Sequence, residues 1–497
     1  MITASQLYDH VQCSHRPVLD ATRPESERDE ISSFIEMLWE QGVEHEAKVL
    51  ETIGVTANLS AVPLDEREAA TLDAMARKEP LIYRGRISAD DLLGEPDLLE
   101  LQPCGKYAPG DIKSGAGIEG GEEGEEKYKK HYAVQLGLYQ DILERKRLSS
   151  LGRNCFVVDA NNERVAYDLD RPRWKAATDT WWLFYLSALE NLRENLANPG
   201  NSRAALGATC KLCHWYSGCK SSCIAANDLT MIPELGRSKR DVIARLIPTV
   251  KAMATCNVDN YVDGKKTVFR GIGISTLEKF QRRAQLLCKP DFGPYLKEAV
   301  SLPVRPNEVH FDIEADPMKN TFVYLHGMRE RKFGDEASAK FIPFFADGDK
   351  PDDEEAVFHA SWSYLSERIK DSVIYYYSRY ERTAYRLLAS KYPSVCSVDD
   401  VNGLFACPEM VDLYTDVVKP KTEWPTLDFS IKTLAVYCGF KWRDTNPSGA
   451  ASIEWYRRYL KTGDAAIRER ILQYNEDDVI ASGFVADRVR QLPVVSY

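Results

Sequence analysis

The chain has 497 residues, of which 44% are hydrophobic and 28% are charged, so it is long enough for two to four domains with cores of their own. No run approaches the ~18 apolar residues that span a bilayer, and the start lacks the charged-then-apolar layout of a secretory signal. We therefore expect a cytoplasmic protein without a membrane segment. The net charge of −11 argues against indiscriminate coating of nucleic acid.

Two helices are predicted first. The spacing of LYDHVQC favours a short helix that presents Cys13. The stretch ISSFIEMLWEQGVEHEAKVLETIG predicts an amphipathic helix whose apolar face contains Phe34, Ile35, Leu38, Trp39 and Val43. His45 then falls near the inner side of this helix. On this pattern alone, such a histidine is more often a packed core residue than a ligand.

The stretch GEPDLLELQPCGKYAPGDIKSG contains the most informative carboxylates of the first half. If residues 98–101 and 107–112 lie on neighbouring strands, Asp97 and Asp111 converge and can hold a hard cation. Lys113 lies two residues after Asp111, on the same strand face. This combination suits hydrolysis of a phosphodiester, in which a metal activates water and an ammonium assists.

The next segments end in a cysteine cluster. GAGIEGGEEGEEKYKK has five glutamates and five glycines between Gly115 and Glu126, which predicts a mobile loop. HYAVQLGLYQDILERK predicts a helix with Gln135 and Tyr139 on one side. A predicted hairpin and a long helix lead to cysteines spaced for a shared metal, namely Cys210, Cys213 and Cys219. Zinc with His214 or Cys223, or an iron–sulfur cluster with a distant fourth thiolate, fits this spacing.

Together, LYDHVQC, GVEHE, GEPDLLEL, DIK, QLGLY and CxxCxxxxxC resemble the RecB/AddB-type iron–sulfur nucleases, which include CRISPR-associated RecB-like exonucleases. The resemblance covers about residues 1–225. It implies a restriction-endonuclease-like PD-(D/E)xK fold and a 4Fe-4S cluster. The cluster ligands implied by position are Cys13, Cys210, Cys213 and Cys219, which leaves Cys223 spare.

The same resemblance implies a nuclease site around Mg²⁺ or Mn²⁺. His45, Asp97 and Asp111 would hold the ion, Lys113 would stand beside the attacking water, and Gln135 and Tyr139 would flank the site. Asp111 stands where many members of the family have glutamate. A helicase is the partner beside which such enzymes often work.

A basic segment follows within this acidic chain. Residues 236–290 contain twelve Lys/Arg and four Asp/Glu, for a net charge of +8, which is where a polyanion would bind. Gly271-Ile272-Gly273 before a basic helix resembles the second half of a helix-hairpin-helix, which binds phosphate without reading bases. We expect a small helical DNA-binding connector, although a solvated helical surface would have the same charge pattern.

The last third predicts a second acidic site. Asp312 and Glu314 share one face of the strand EVHFDIEAD, and the final helix has Tyr474 and Asp478 one turn apart. With Glu381 between a strand and a helix, this pattern resembles DnaQ-like exonucleases of the RNase H superfamily, specifically YprB-type domains, over residues 305–492. The resemblance implies two divalent metals held by Asp312, Glu314, Glu381 and Asp478, with Tyr474 orienting water. The family usually has Asp at position 381, a role that Asp412 or Asp416 could fill.

The sequence thus predicts an α/β protein of three parts. These are a RecB-like nuclease domain (1–226), a helical connector (227–303) and an RNase H-like exonuclease domain (304–497). The predicted activity is hydrolysis of DNA, single-stranded or with single-stranded ends, in repair, recombination or defence. RNA as substrate and a nucleic-acid-binding scaffold with inactive sites are the alternatives.

Overall fold

The computed structural model describes residues 1–121, 124–175, 177–319, 321–445 and 448–495. The chain forms two compact units. The first comprises Met1–Ala204 and Ala208–Lys220, and the second comprises Ala205–Gly207 and Ser221–Tyr497. Across these described ranges, no helix combines the length and apolar character needed to cross a membrane.

The first unit is a mixed α/β structure. Its elements, in chain order, are β1 (Ile2–Thr3), α1 (Ala4–Gln12), α2 (Arg16–Thr22), α3 (Ser33–Thr52), β2 (Ala57–Asn58), α4 (Leu64–Ala76), β3 (Leu81–Tyr83), β4 (Ile87–Ala89), β5 (Leu92–Gly94), β6 (Leu98–Leu101), β7 (Tyr107–Ile112), β8 (Ile118–Gly121), β9 (Gly124–Tyr128), α5 (Lys130–Arg145), β10 (Asn154–Val158), β11 (Arg164–Asp168), α6 (Trp181–Ala197) and α7 (Tyr216–Ala225), the last of which crosses the unit boundary.

A six-stranded sheet carries the first candidate site. Its order is β11-β10-β7-β6-β3-β2, with β7 parallel to β10 and antiparallel to β6. The helix α5 packs against β7, and every residue of that strand is buried. A polar side chain on such a strand is removed from water and needs a partner, which is the situation of Asp111.

Two sequence predictions in this unit are wrong. The segment expected to be a mobile loop forms the antiparallel ribbon β8–β9, anchored by Tyr128, whose ring stacks 4.2 Å from that of Tyr167. Glu122 and Glu123 lie outside the described residues. On α3, the expected apolar face does not point wholly inward, because Trp39 and Val43 are exposed by 59% and 67%.

The second unit begins with short helices and continues into a long sheet. Its elements are α8 (Arg237–Ile243), α9 (Val250–Thr255), β12 (Val262–Asp263), β13 (Lys266–Thr267), α10 (Ile274–Cys288), β14 (Tyr295–Leu296), β15 (Asn307–Asp316), β16 (Phe322–Lys332), β17 (Asp335–Phe345), α11 (Pro351–Arg368), β18 (Ser372–Tyr376), α12 (Arg379–Lys391), α13 (Val398–Phe405), β19 (Met410–Asp412), a π-helical turn (Leu413–Val418), α14 (Lys419–Lys421), β20 (Thr422–Glu423), α15 (Ile431–Tyr437), α16 (Gly449–Thr462) and α17 (Ala465–Arg490).

The strand β15 is the centre of the five-stranded sheet. The order is β17-β16-β15-β18-β19, with β15 antiparallel to β16 and parallel to β18. Val309, Phe311 and Ile313 point into one apolar core. Because strand residues alternate between faces, Asp312 and Glu314 point to the other face, against which α17 packs.

The helical stretch before the sheet has its own core and is tied to the rest of its unit by a buried ion pair. Leu229, Ile243 and Phe280 belong to that core. Arg283 Nε lies 2.8 Å from Glu423 Oε2, and each side chain is 1% exposed. Arg240 is likewise buried, 2.7 Å from Asp228. Two of the twelve basic residues of the segment are therefore structural and unavailable to a polyanion.

Candidate active sites

The first unit brings Asp97 and Asp111 together. Leu98 pairs with Gly110 across the antiparallel strands β6 and β7, which places the preceding and following aspartates side by side. The backbone N–H of Ile112 donates to Asp97 Oδ2 at 2.9 Å, and the N–H of Asp97 donates to Asp111 Oδ1 at 3.4 Å. Each carboxylate is thus held by the backbone of the opposite strand.

A chain of side chains extends from these carboxylates. Lys113 Nζ lies 2.8 Å from Asp111 Oδ2 and donates to Gln135 Oε1 at 2.9 Å. Gln135 Nε2 donates to the Tyr139 hydroxyl at 3.0 Å, which in turn donates to the backbone carbonyl of Glu95. The predicted residues of this site other than His45 therefore form one connected network.

Burial is the largest influence on the pKa values of Asp97 and Lys113 in this network. Burial and the neighbouring Asp111 carboxylate raise the pKa of Asp97 well above its ordinary value. Burial lowers the pKa of Lys113, but Asp111 and Asp97 outweigh it, so that the net change is upward. Lys113 is accordingly a cation that offsets the charge of the two acids.

His45 is half-buried on α3, and its buried Nε2 atom has no hydrogen-bond partner among the described residues. Its neighbour Glu46 accepts hydrogen bonds from Tyr83 Oη at 2.9 Å and Arg84 Nη2 at 2.6 Å. The ligand atoms of His45, Asp97 and Asp111 do not all lie within 4.8 Å of one another. An orphaned imidazole nitrogen suits a metal ligand, but the three groups are not gathered around one point.

The cysteines predicted to bind a cluster come from two distant segments of the first unit. Burial raises the pKa of Cys213, and the Cys13 and Cys210 thiols add to that rise. Asp20 joins the same segments by accepting hydrogen bonds from His214 Nε2 and Trp215 Nε1, each at 2.9 Å. Cys219 lies on α7.

The two alternative ligands have other partners. His214 contacts Asp20. Cys223 is buried in the second unit and hydrogen-bonds to Thr230.

The second unit gathers three carboxylates. Asp312 and Glu314 on β15 and Asp478 on α17 each place an oxygen within 4.8 Å of the other two, and they are the one such group of three or more metal-ligating side chains among the described residues. Three converging carboxylate oxygens are a donor set that Mg²⁺ and Mn²⁺ accept.

Surrounding side chains orient the Asp312 and Asp478 carboxylates. Asn475 Nδ2 donates to Asp312 Oδ2 at 2.8 Å, and Trp442 Nε1 donates to Asp478 Oδ1 at 2.7 Å. The Tyr474 hydroxyl also hydrogen-bonds to Asp478, and Lys432 Nζ donates to Tyr474 Oη at 2.9 Å. Such outer partners fix ligand orientation in metal sites.

Comparison with known proteins identifies this region. The family model of the RNase H superfamily matches residues 309–490. Residues 309–490 are an RNase H superfamily domain. No curated protein and no solved structure matches the chain. The match confirms the coarse prediction for the last third, whereas nothing in these comparisons supports a RecB-like or iron–sulfur assignment for the first unit.

Burial and neighbouring acids raise the pKa values of the carboxyl groups in the RNase H domain. Burial and the Asp478 carboxylate raise the pKa of Glu314 to about 8. Burial, Asp478 and Glu314 raise the pKa of Asp312 well above its ordinary value. Burial raises the pKa of Asp478, and the Lys432 ammonium opposes that rise. Added positive charge would relieve this repulsion.

Glu381 lies beside this group without joining it. It is buried in the first turn of α12, where Ser378 Oγ lies 3.3 Å from Glu381 Oε2. Ser378 has a backbone φ of 145°, a strained value that non-glycine residues rarely adopt. Burial and Asp412 raise the pKa of Glu381 to about 8. The carboxyl group of Glu381 is therefore largely protonated near neutral pH and can donate a hydrogen bond.

Sequence reasoning did not single out Lys432, Trp442 or Asn475 as site residues. Lys432 is the one charged residue of the helix start SIKTLAVY, which was the available signal. Asn475 follows Tyr474 directly, but its contact with Asp312 spans 163 positions. No spacing rule connects those two positions.

Proposed function

We propose that the chain is a metal-dependent nuclease whose RNase H domain hydrolyses phosphodiester bonds at Asp312, Glu314 and Asp478. The observation that carries the proposal is the grouping of these three carboxylates within the segment that matches the RNase H superfamily. That superfamily suggests a nucleic-acid hydrolase. Mg²⁺ or Mn²⁺ is the cofactor that the donor set fits.

The chemistry follows from the residues around that group. A bound divalent cation would lower the pKa of a water molecule and offset charge on the phosphate. Hydrolysis forms one P–O bond to the water oxygen and breaks another, which leaves a phosphomonoester and a hydroxyl end. Asn475 and Trp442 hold Asp312 and Asp478 in place. Burial, Asp478 and Glu314 raise the pKa of Tyr474 well above its ordinary value, so its protonated hydroxyl can orient the water or the phosphate.

We further propose a RecB-like nuclease centre in the first unit, with His45, Asp97 and Asp111 as ligands. The carboxylate pair, the unpartnered His45 Nε2 and the network from Lys113 to Gln135 and Tyr139 support it. In this centre Lys113 would steady the nucleophile or the phosphate.

The proposed 4Fe-4S cluster would be held by Cys13, Cys210, Cys213 and Cys219. Its support is the effect of the Cys13 and Cys210 thiols on the pKa of Cys213 and the hydrogen bonds by which Asp20 ties the two segments together. A cluster there would connect residues almost two hundred positions apart, so its binding free energy would add to folding.

The proposed substrate is DNA that is single-stranded or has single-stranded ends. Exposed basic residues of the second unit, including Lys265, Lys266 and Arg270, support a grip on the backbone by the helical stretch 227–303. The predicted division of the chain into three domains remains a proposal, as does a helicase partner.

The activity can be tested on the full chain purified without oxygen. End-labelled single-stranded DNA, duplex DNA and RNA would be incubated with Mg²⁺ or Mn²⁺ and wild type, Asp111→Asn, Asp478→Asn or the double variant. We expect metal-dependent cutting of single-stranded DNA that the double variant loses. Cutting by the double variant at the wild-type rate would refute both centres. Preferential cutting of RNA would show that RNA, and not DNA, is the substrate. Absence of cutting by the wild type would favour a binding scaffold.

The cluster has a separate test. We expect a brown protein with iron and sulfide, and we expect Cys213→Ser to lose the visible absorption while Cys223→Ser keeps it. A colourless protein with stoichiometric zinc would contradict the cluster, and equal loss in both variants would contradict the ligand set.

A further inference from the structure

Lys432 is held at the edge of the RNase H acid group by a packed helix. Ser430 caps α15 by accepting from the Thr433 N–H. Leu434 and Ala435 are fully buried in the same core as Ala481 and Val485 of α17. The helix that carries Lys432 is therefore packed against the helix that carries Tyr474 and Asp478, which fixes the backbone of Lys432 beside the site.

The ammonium of Lys432 contacts Tyr474 directly. Its Nζ atom lies 2.9 Å from Tyr474 Oη and 4.8 Å from the centroid of the ring. Its charge also opposes the rise in the pKa values of Asp312, Glu314 and Asp478.

The direction of the hydrogen bonds follows from the donor inventory. Lysine has donors and no acceptor, so the oxygen of Tyr474 accepts from Lys432. The phenol proton is then available to Asp478 or to another acceptor in the site. A donor that itself accepts from a cation becomes a stronger donor. Lys432 and Tyr474 therefore present a positive charge and a polarised O–H beside three acids.

A phosphodiester is an anion and would be repelled by the three carboxylates. During hydrolysis further negative charge develops on the phosphoryl oxygens, and preplaced donors and cations stabilise that charge. Asn475 and Trp442 donate to the carboxylates. On the other side of the centre, Lys432 supplies a positive charge and Tyr474 supplies a hydroxyl donor.

We propose that Lys432 is a catalytic residue that binds a non-bridging oxygen of the scissile phosphate and that it positions Tyr474 as the second donor to that phosphate. This inference rests on the proposed phosphodiesterase function of the RNase H domain. It assigns the substrate phosphate to the Lys432–Tyr474 side of the acid group.

The test separates phosphate binding from metal binding. Lys432→Met removes the charge at similar length, Lys432→Arg keeps it, and Lys370→Met is a matched control at a side chain that is 70% exposed. All are made in an Asp111→Asn background so that the second unit is measured alone. The readouts are Mn²⁺ binding by electron paramagnetic resonance, thymidine monophosphate binding by calorimetry with Mn²⁺ present, and kcat on single-stranded DNA.

We expect Lys432→Met to lower kcat about 10²–10³-fold, the effect of losing one donor to a developing anion, and to weaken nucleotide binding about tenfold. Mn²⁺ binding should stay within a few-fold of the parent, Lys432→Arg should recover part of both losses, and Lys370→Met should change neither. Loss of Mn²⁺ binding or of the thermal transition together with activity would show a structural role and overturn the proposal. Unchanged nucleotide binding and kcat in Lys432→Met would overturn it as well.

Failure of the proposed function and failure of the Lys432 assignment give different results. If the parent cuts no nucleic acid while Asp312 is required for Mn²⁺ binding, the proposed function fails, and the nucleotide-binding comparison still decides the role of Lys432. If the parent cuts DNA and Lys432→Met behaves like Lys370→Met, only the inference about Lys432 fails.

Discussion

The two candidate centres contain similar residue types in different arrangements. In the first unit, the ammonium of Lys113 lies 2.8 Å from Asp111, because both residues come from one strand end and point to one face. In the RNase H domain, three carboxylates converge and the nearest lysine contacts a tyrosine instead. The first centre has two acids with a lysine bonded directly to one of them, whereas the second gathers three acids and its lysine contacts a tyrosine. We therefore expect the second centre to bind a divalent cation more readily than the first.

The largest expected effect comes from Asp312→Asn. It removes the acid that Asn475 holds in the group, and we expect loss of the tighter Mn²⁺ site together with at least a ~10³-fold loss of the cutting that persists in Asp111→Asn. A Mn²⁺ titration followed by electron paramagnetic resonance measures the first effect. Asp399→Asn, an exposed acid of the same unit, is the control. Loss of the tighter site in Asp111→Asn instead would reverse the comparison.

Lys113→Ala tests the first centre. Removing the ammonium leaves the buried Asp111 carboxylate beside that of Asp97 without a cation, so we expect a ~10²–10³-fold loss of the activity that remains in Asp478→Asn. Mn²⁺ should bind this site more readily, because it no longer shares Asp111 with a cation. Cleavage rates and Mn²⁺ affinity are compared with Lys106→Ala, an exposed lysine of the same hairpin. Weaker Mn²⁺ binding in Lys113→Ala than in Lys106→Ala would contradict the account.

Gly327→Ala should disturb the second centre by displacing Asn475, a hydrogen-bond partner of Asp312. A Cβ atom at Gly327 would lie 1.6 Å from Asn475 Oδ1, so the amide must leave Asp312. We expect a roughly tenfold lower kcat and a cost of ~1–3 kcal/mol in the free energy of unfolding from overpacking. Gly403→Ala, where no atom lies within 4 Å of the added carbon, should keep full activity. Thermal melts and cleavage rates of the two variants are compared. Equal melting temperatures and equal rates would contradict this prediction.

The smallest expected effect is a pH dependence of stability in the metal-free chain. The pKa values of Glu314 and Glu381 are raised to about 8, above the ~4.3 of an unfolded glutamate. The folded state then binds more protons at these two groups between the two pKa values, so their contribution to stability is greatest below pH ~4.3 and is lost as pH rises to ~8.

Thermal melts in a chelating buffer at pH 5 to 8 measure that decline. Glu314→Gln should flatten it, Glu367→Gln at an exposed position should not, and Mn²⁺ at pH 8 should restore the melting temperature. The same slope in wild type and in Glu314→Gln would refute this explanation of the raised pKa values.

Local patterns predicted much of both centres. The strand period of two placed Asp312 and Glu314 on one face, the helical period placed Tyr474 one turn from Asp478, and the turn between two apolar runs brought Asp97 beside Asp111. These relations hold because each depends on the geometry of one element or one hairpin.

Relations set by packing between distant elements were not accessible in the same way. Lys432 reaches Tyr474 only because α15 packs on α17, and Trp442 reaches Asp478 from a loop 36 positions away. A charge count treats every arginine as exposed, yet Arg240 and Arg283 are buried in ion pairs. Exposure of Trp39 and Val43 on α3 shows the same limit for apolar residues.

The central claim is that Asp312, Glu314 and Asp478 form a metal-dependent nuclease centre. The most direct measurement is the cutting of end-labelled single-stranded DNA with Mn²⁺ by Asp111→Asn and by the same chain with Asp478→Asn added. We expect that the Asp111→Asn variant cuts the DNA and that the variant with Asp478→Asn added does not. Equal cutting by both variants would contradict it.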